Sequence, residues 1–303
     1  MHVIETTDPV LHYEDGMILG NGDLTVSVYQ RSDQIVWRFG KCDVWDRRLD
    51  NSDSPEPAHF SEIRRGIAEE GWVSNSYESD ADSGEAVKPC QDPKRMNELC
   101  QGAPVYAGRP YPCPKPVGEL YVRIPPDLYG LKVKQRLVVE EGSLVIECTW
   151  NDGPTIRFTC FVPPKPNVLV INWEILDWNP ETNMEGLGGP IFFGLHRWQD
   201  PAIDKFCTQE RLTNGYFYYR DSVRTGKATP LDAPEMKNHA GVDFIEQAFA
   251  PDLEFPEGFR YGMVPFMTDD FRPEVVPTYG VGDKLMQFFQ PEAQQQRRGV
   301  IAV

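Results

Sequence analysis

The sequence predicts an all-β protein: a large antiparallel β-sandwich with a long loop insertion carrying a short helix. Three observations lead there. Segment after segment alternates apolar and polar residues with a period of two, the mark of a strand with one buried face. The gaps between most of these segments are too short for the helical crossovers that parallel strands require. Helical spacing appears in one place alone, inside residues 46–116.

Residues 16–48, "GMILGNGDLTVSVYQRSDQIVWRFGKCDVWDRR", come first. Leu24, Val26 and Val28 alternate with Thr25, Ser27 and Tyr29; a polar stretch follows, and Ile35, Trp37 and Phe39 resume the alternation, which spells a β-hairpin. Gly20 and Gly22 stand where the chain turns tightly into the first strand, a place for positive φ or close backbone approach. A dinucleotide fingerprint would need further glycines and then a helix, and a strand pattern follows instead.

Residues 46–116 form a polar excursion. After Pro57, Phe60, Ile63 and Ile67 recur at helical spacing, so a short helix is expected over residues 58–70, with the remainder, including the acidic run 78–85, read as loop. From Gly118 onward strand signatures return: "GELYVRI", "LKVKQRLVV", "SLVIECTW", "TIRFTCFV", "NVLVINWEI", "PIFFGL", "YFYY", "VDFIEQAF", "FRYGMVPF" and "GVIAV". The first two read as antiparallel strands wet on one face. The turn signal Asn151-Asp152-Gly153 joins the third and fourth in a meander. The whole of 1–303 is read as one sandwich domain, with 46–116 as its insertion.

Composition excludes several functions. A formal charge of −16, from 46 acids against 30 bases, disfavours nucleic-acid and anionic-membrane partners. No apolar run approaches a membrane span, and the start lacks the basic and apolar regions of a signal peptide, so a cytoplasmic location is the default expectation. The seven cysteines lack C-x-x-C spacing, which argues against a zinc ribbon or redox motif. Cys148 and Cys160 read as small buried hydrophobes, and a disulfide among Cys90, Cys100 and Cys113 would require an oxidising compartment. Without a spaced Asp/Asn series for calcium, no metal and no cofactor is expected.

The candidates for chemistry are few. His196, in "FFGLHRWQD" beside Arg197, Trp198 and Asp200, belongs to a polar and aromatic group that could line a carbohydrate cleft, or else to a sandwich edge where Trp198 covers the core. Asp43, Trp45 and Asp46 follow the hairpin, and there an exposed indole beside two acids could contact a sugar, or a buried one could anchor the loop. Asp269-Asp270 fits a turn better than a catalytic pair, since adjacent strand residues point to opposite faces.

The segments "ILGNGDLTVSVY", "IVWRFGKCDVWD", "KPVGELYVRI", "LKVKQRLVVEEGSLVIECTW" and "NVLVINWEI" resemble the N-terminal β-super-sandwich of glycoside hydrolase family 95-like proteins, relatives of the family 65 phosphorylases. The likeness runs from about Gly16 to the C-terminus and rests on short motifs. Where the fucosidases of that group carry Asn-Glu-Asp-x-Leu-Trp, this chain has Lys41-Cys42-Asp43-Val44-Trp45, closer to uncharacterised members. The resemblance implies a large antiparallel β-super-sandwich, galactose-mutarotase-like and non-catalytic, that helps shape the cleft of a following (α/α)6 helical domain, where the catalytic carboxylates would reside. It makes carbohydrate and that helical domain the expected partners. No residue here inherits a catalytic role; Asn21, Asp23, Asp43 and Trp45 are the expected substrate contacts, with His196 and Trp198 as further candidates. Two alternatives stand beside it: a stand-alone carbohydrate-binding module with Trp45 and Trp198 as a stacking platform, and an aldose-epimerase-like enzyme using His196 with a nearby Glu.

Overall fold

The computed structural model describes residues 2–8, 10–11, 13–31, 34–48, 60–69, 113–123, 131–149, 154–176, 192–199, 231–268, 272–276, 282–289 and 298–303. The chain divides into two compact units, one of residues 1–46, 113–211 and 230–303, the other of residues 47–112 and 212–229.

The larger unit is an all-β sandwich. Its strands, in chain order, are β1 (Val3–Thr6), β2 (Met17–Gly20), β3 (Leu24–Arg31), β4 (Gln34–Lys41), β5 (Trp45–Asp46), β6 (Cys113–Pro114), β7 (Gly118–Arg123), β8 (Lys132–Val138), β9 (Ser143–Thr149), β10 (Thr155–Phe161), β11 (Val170–Leu176), β12 (Phe192–Arg197), β13 (Glu235–His239), β14 (Val242–Phe249), β15 (Phe259–Met263), β16 (Phe266–Met267), β17 (Arg272–Val276), β18 (Lys284–Phe289) and β19 (Arg298–Ala302). One seven-stranded sheet runs β1-β8-β9-β10-β11-β19-β16, and a second runs β17-β18-β12-β7-β4-β3-β2. All pairings are antiparallel among the described residues.

One apolar core joins the two sheets. Ile146, Phe158 and Trp173 from the first meet Val28, Trp37, Leu120 and Phe193 from the second. Trp37 and Phe158 pack edge-to-face with ring centroids 5.7 Å apart, and Trp173 meets Phe193 at 6.4 Å, so two aromatic pairs from opposite sheets fix their spacing. A third sheet, β13-β14-β15, adds Ile245, Phe259 and Met263 to the same core. Its Tyr261 hydroxyl donates to the Val117 carbonyl at 2.8 Å, just before β7.

The outer faces of the two large sheets differ. β9 and β10 alternate buried and half-buried residues, as a half-wet sheet should. Across their wet face Arg157 bonds Glu147 (2.9 Å) and Glu174 (3.0 Å), its directly opposed neighbours on β9 and β11. The expectation that "GELYVRI" forms a strand wet on one face is corrected: Gly118 to Val122 of β7 are buried on both sides. Tyr29, Val36 and Tyr121 form a second apolar cluster on that outer face, with Val10, Tyr13, Phe192 and Leu285 packed against it.

The Gly-rich opening is the turn between β2 and β3. Gly22 takes φ +93°, and a Cβ at Gly20 would lie 2.7 Å from the Leu24 carbonyl oxygen, so one glycine serves conformation and the other close approach. In the smaller unit, helix α1 (Phe60–Glu69) forms where Phe60, Ile63 and Ile67 set the helical period. The expected "YFYY" strand, the Asn151-Asp152-Gly153 turn, Asp200, Asp269-Asp270, Cys90 and Cys100 lie outside the described residues.

Candidate functional site

The β2–β3 turn and the end of β4 bring four of the expected contact residues together. Asn21 Oδ1 accepts from the backbone N–H groups of Asp23 (3.1 Å) and Leu24 (2.9 Å), closing the turn, while its amide donates to the Pro163 carbonyl (3.1 Å) and to Asn167 Oδ1 (2.9 Å). The pairing of Leu24 with Lys41 places Asp23 beside the β4 terminus. Lys41 Nζ therefore bridges Asp23 (3.0 Å) and Asp43 (2.7 Å). Asn167 also donates to Asp23, and the Cys42 thiol donates to the same carboxylate at 3.0 Å.

These donors hold the Asp23 carboxyl near a pKa of about 2, with the Cys42 thiol, Lys41 and Asn167 all favouring its ionised form. The same contact, together with burial, pushes the Cys42 thiol above its ordinary value. Burial would lower the Lys41 pKa, but bonds to Asp43 and Asp23 outweigh it and raise the pKa. Trp45 completes the corner. Its indole N–H donates to the Cys42 carbonyl at 2.9 Å, while 40% of the residue remains exposed. A tethered indole in the same corner as two acidic side chains can stack on an apolar sugar face while the acids accept from hydroxyls. Asp23, Cys42 and Asp43 also present ligand atoms within 4.8 Å of one another, where the Lys41 ammonium already serves both carboxylates.

His196 and Trp198 belong to a different place, the buried outer face of the second sheet. Glu119 on β7 is directly opposed by Arg38 on β4 and by His196 on β12, which makes a row of three charges across adjacent strands. Glu119 is wholly buried and takes both guanidinium arms of Arg31, at 2.5 and 3.1 Å; Arg38 stands 3.7 Å away and His196 Nδ1 3.6 Å. His196 Nε2 lies 3.3 Å from Asp283, whose other oxygen accepts from the Gln199 backbone N–H at 2.9 Å. Burial alone would raise the Glu119 pKa, but Arg31 and His196 bring it down to about 2. Burial would likewise lower the His196 pKa, but Asp283 and Glu119 lift it to about 9.

Aromatic rings enclose this network. The Arg38 guanidinium lies 4.4 Å from the Tyr13 ring and 5.3 Å from those of Tyr29 and Trp198, and it donates to the Tyr29 hydroxyl at 2.9 Å. Trp198 is wholly buried and packs edge-to-face on His196 at 5.2 Å. That corrects its expected place in an exposed stacking platform: an aromatic ring wedged between two buried cations cannot meet a sugar. Arg197 is also buried, in phase with Phe193 and Leu195 toward the core, so His196 and Arg197 face opposite sides of the sheet.

No protein-family model matches this chain, and no curated protein matches it in sequence.

Sequence reasoning missed Glu119, Arg31, Arg38 and Asp283. The available signal was "ELY" in β7, where large residues occupy both parities of a strand whose outer positions were assigned to water.

Proposed function

We propose that this chain is a carbohydrate-contacting sandwich domain, non-catalytic in itself, that serves a glycoside hydrolase-like protein by walling the cleft of a helical partner domain. The half-exposed indole of Trp45, tethered to the Cys42 carbonyl in the corner where Lys41 bridges the Asp23 and Asp43 carboxylates, is the observation that carries this reading. Lys41 and Asn21 hold the acids in place before any ligand arrives, which lowers the ordering cost of binding. Titration of the intact chain with neutral oligosaccharides tests it: saturable binding weakened at least about tenfold by Trp45→Ala supports the reading. Binding that Trp45→Ala leaves intact, or none at all, counts against it.

The approach of His196 to Glu119 favours a second reading, an aldose-epimerase-like acid–base pair. Against it, a carboxyl held near 2 is a weak base and an imidazolium held near 9 a reluctant acid at neutral pH. Sugar mutarotation lost in His196→Gln, with the fold retained, would favour this second reading over the first.

A further inference from the structure

We infer that the core-facing end of the β12–β18 pair is a binding site for a small oxyanion, a carboxylate or a tetrahedral phosphate-type group, held between Arg197 and Lys284. The two residues are directly opposed in the strand register. Both project to the core-facing side, Arg197 in phase with Phe193 and Leu195, and Lys284 in phase with Met286 and Phe288. Like charges directly opposed across strands repel, so this pairing is unfavourable unless something negative lies between them.

Among the described residues no carboxylate pairs directly with either cation. Arg197 is wholly buried; its guanidinium makes no well-formed hydrogen bond, and the Tyr261 hydroxyl is the side-chain oxygen that approaches it among the described residues. Arginine cannot shed its proton to relieve this, so a buried guanidinium short of acceptors is costly. Lys284, half-buried, reaches the Asp283 carbonyl at 3.5 Å. Asp283 feels the Arg197 charge, but its oxygens are engaged by His196 and the Gln199 N–H. The Tyr261 hydroxyl donates to the Val117 carbonyl and turns a lone pair toward Arg197, a contact that brings no negative charge to the guanidinium.

A planar fork of donors opposite a mobile ammonium suits an oxyanion: the fork takes two oxygens and the ammonium a third. Lys284 is the more exposed of the two cations and Arg197 the deeper one, so Lys284 would be the outer contact of the site.

Calorimetric titration of the intact chain with sulfate, inorganic phosphate and acetate, each against a sodium chloride background, tests the site. The wild type is expected to bind at least one of the three saturably. Lys284→Met, which keeps the apolar stem, is expected to weaken that binding at least about tenfold, and Arg197→Met to abolish it. Tighter acetate binding would assign a carboxylate ligand, and tighter phosphate or sulfate binding a tetrahedral one. If Arg197→Met fails to fold, Lys284→Met carries the test. Equal affinity in Lys284→Met, or no saturable binding by the wild type, would overturn the inference and leave water as the partner of Arg197.

Discussion

The imidazole Nδ1 of His196 stands 3.6 Å from a carboxylate oxygen of Glu119, its directly opposed neighbour in the β7–β12 pairing. A charged pair thus lies on a sheet face that the rest of the chain covers. Among the described residues, Arg31, Arg38 and Asp283 are the charged groups that reach these two.

This relationship sets a pH dependence. The His196 pKa is raised from 6.5 to about 9, so its stabilisation is complete below 6.5 and is lost as pH rises through about 9. The Glu119 pKa is lowered from 4.5 to about 2, so its stabilisation is complete above 4.5 and is lost as pH falls through about 2. Stability from this pair should therefore peak between pH 4.5 and 6.5. Each limb should fall by at most about 3 kcal/mol. Urea unfolding across the range, with His196→Gln for comparison, checks this; an alkaline limb unchanged in His196→Gln would contradict it.

The hydroxyl end of the Tyr121 ring lies over Gly194, where an added Cβ would come within 2.2 Å of the ring. Tyr121 is anchored through its hydroxyl, which accepts from Gln287 at 3.2 Å. Gly194→Ala should therefore displace the ring and destabilise the sandwich by about 1–3 kcal/mol, read from the denaturant midpoint.

Ala240 and Gly241 form the two-residue turn between β13 and β14, with φ of +51° and +84°. Ala240 is the non-glycine residue at positive φ among those described. Ala240→Gly should relieve the strain and raise stability by about 0.5–1 kcal/mol, visible as a higher melting temperature. A lower one would contradict the turn geometry.

Asp23 accepts from the Cys42 thiol and raises its pKa, so Asp23→Asn should free more thiolate at neutral pH. Alkylation of Cys42, followed by peptide mapping, should then be several-fold faster. Cys148 and Cys160, wholly buried and pushed up to about 12, should stay unmodified in both proteins.

Much of this fold was legible because alternation of side chains is a local property. β3, β4, β9, β10 and β11 follow directly from it, and the helix from Phe60, Ile63 and Ile67. β13 was not legible: "EMKNH" is polar, and it becomes a strand by pairing with β14 across the Ala240-Gly241 turn. β18 was hidden because Leu285 and Phe288 have apolar neighbours on both parities, which erases the period.

Among the candidate residues, Asn21, Asp23, Asp43 and Trp45 meet because short loops bind them to one corner. The fate of His196 and Trp198 depended on Glu119 and Arg38, far away in sequence, and on the burial of an outer sheet face that alternation alone assigns to solvent.

Trp45 and Trp198 should accordingly behave in opposite ways on truncation. Trp198→Ala removes a wholly buried ring and should cost about 3–5 kcal/mol of stability. Trp45→Ala, at a half-exposed position, should change stability far less while removing the proposed sugar contact.

The most direct test of the central claim is to follow backbone amide shifts of the labelled chain during titration with a panel of neutral oligosaccharides. The account predicts saturable shifts concentrated at Asn21, Asp23, Asp43 and Trp45, with His196 and its neighbours unmoved. Shifts centred on His196 and Glu119, or none at any concentration, would contradict it.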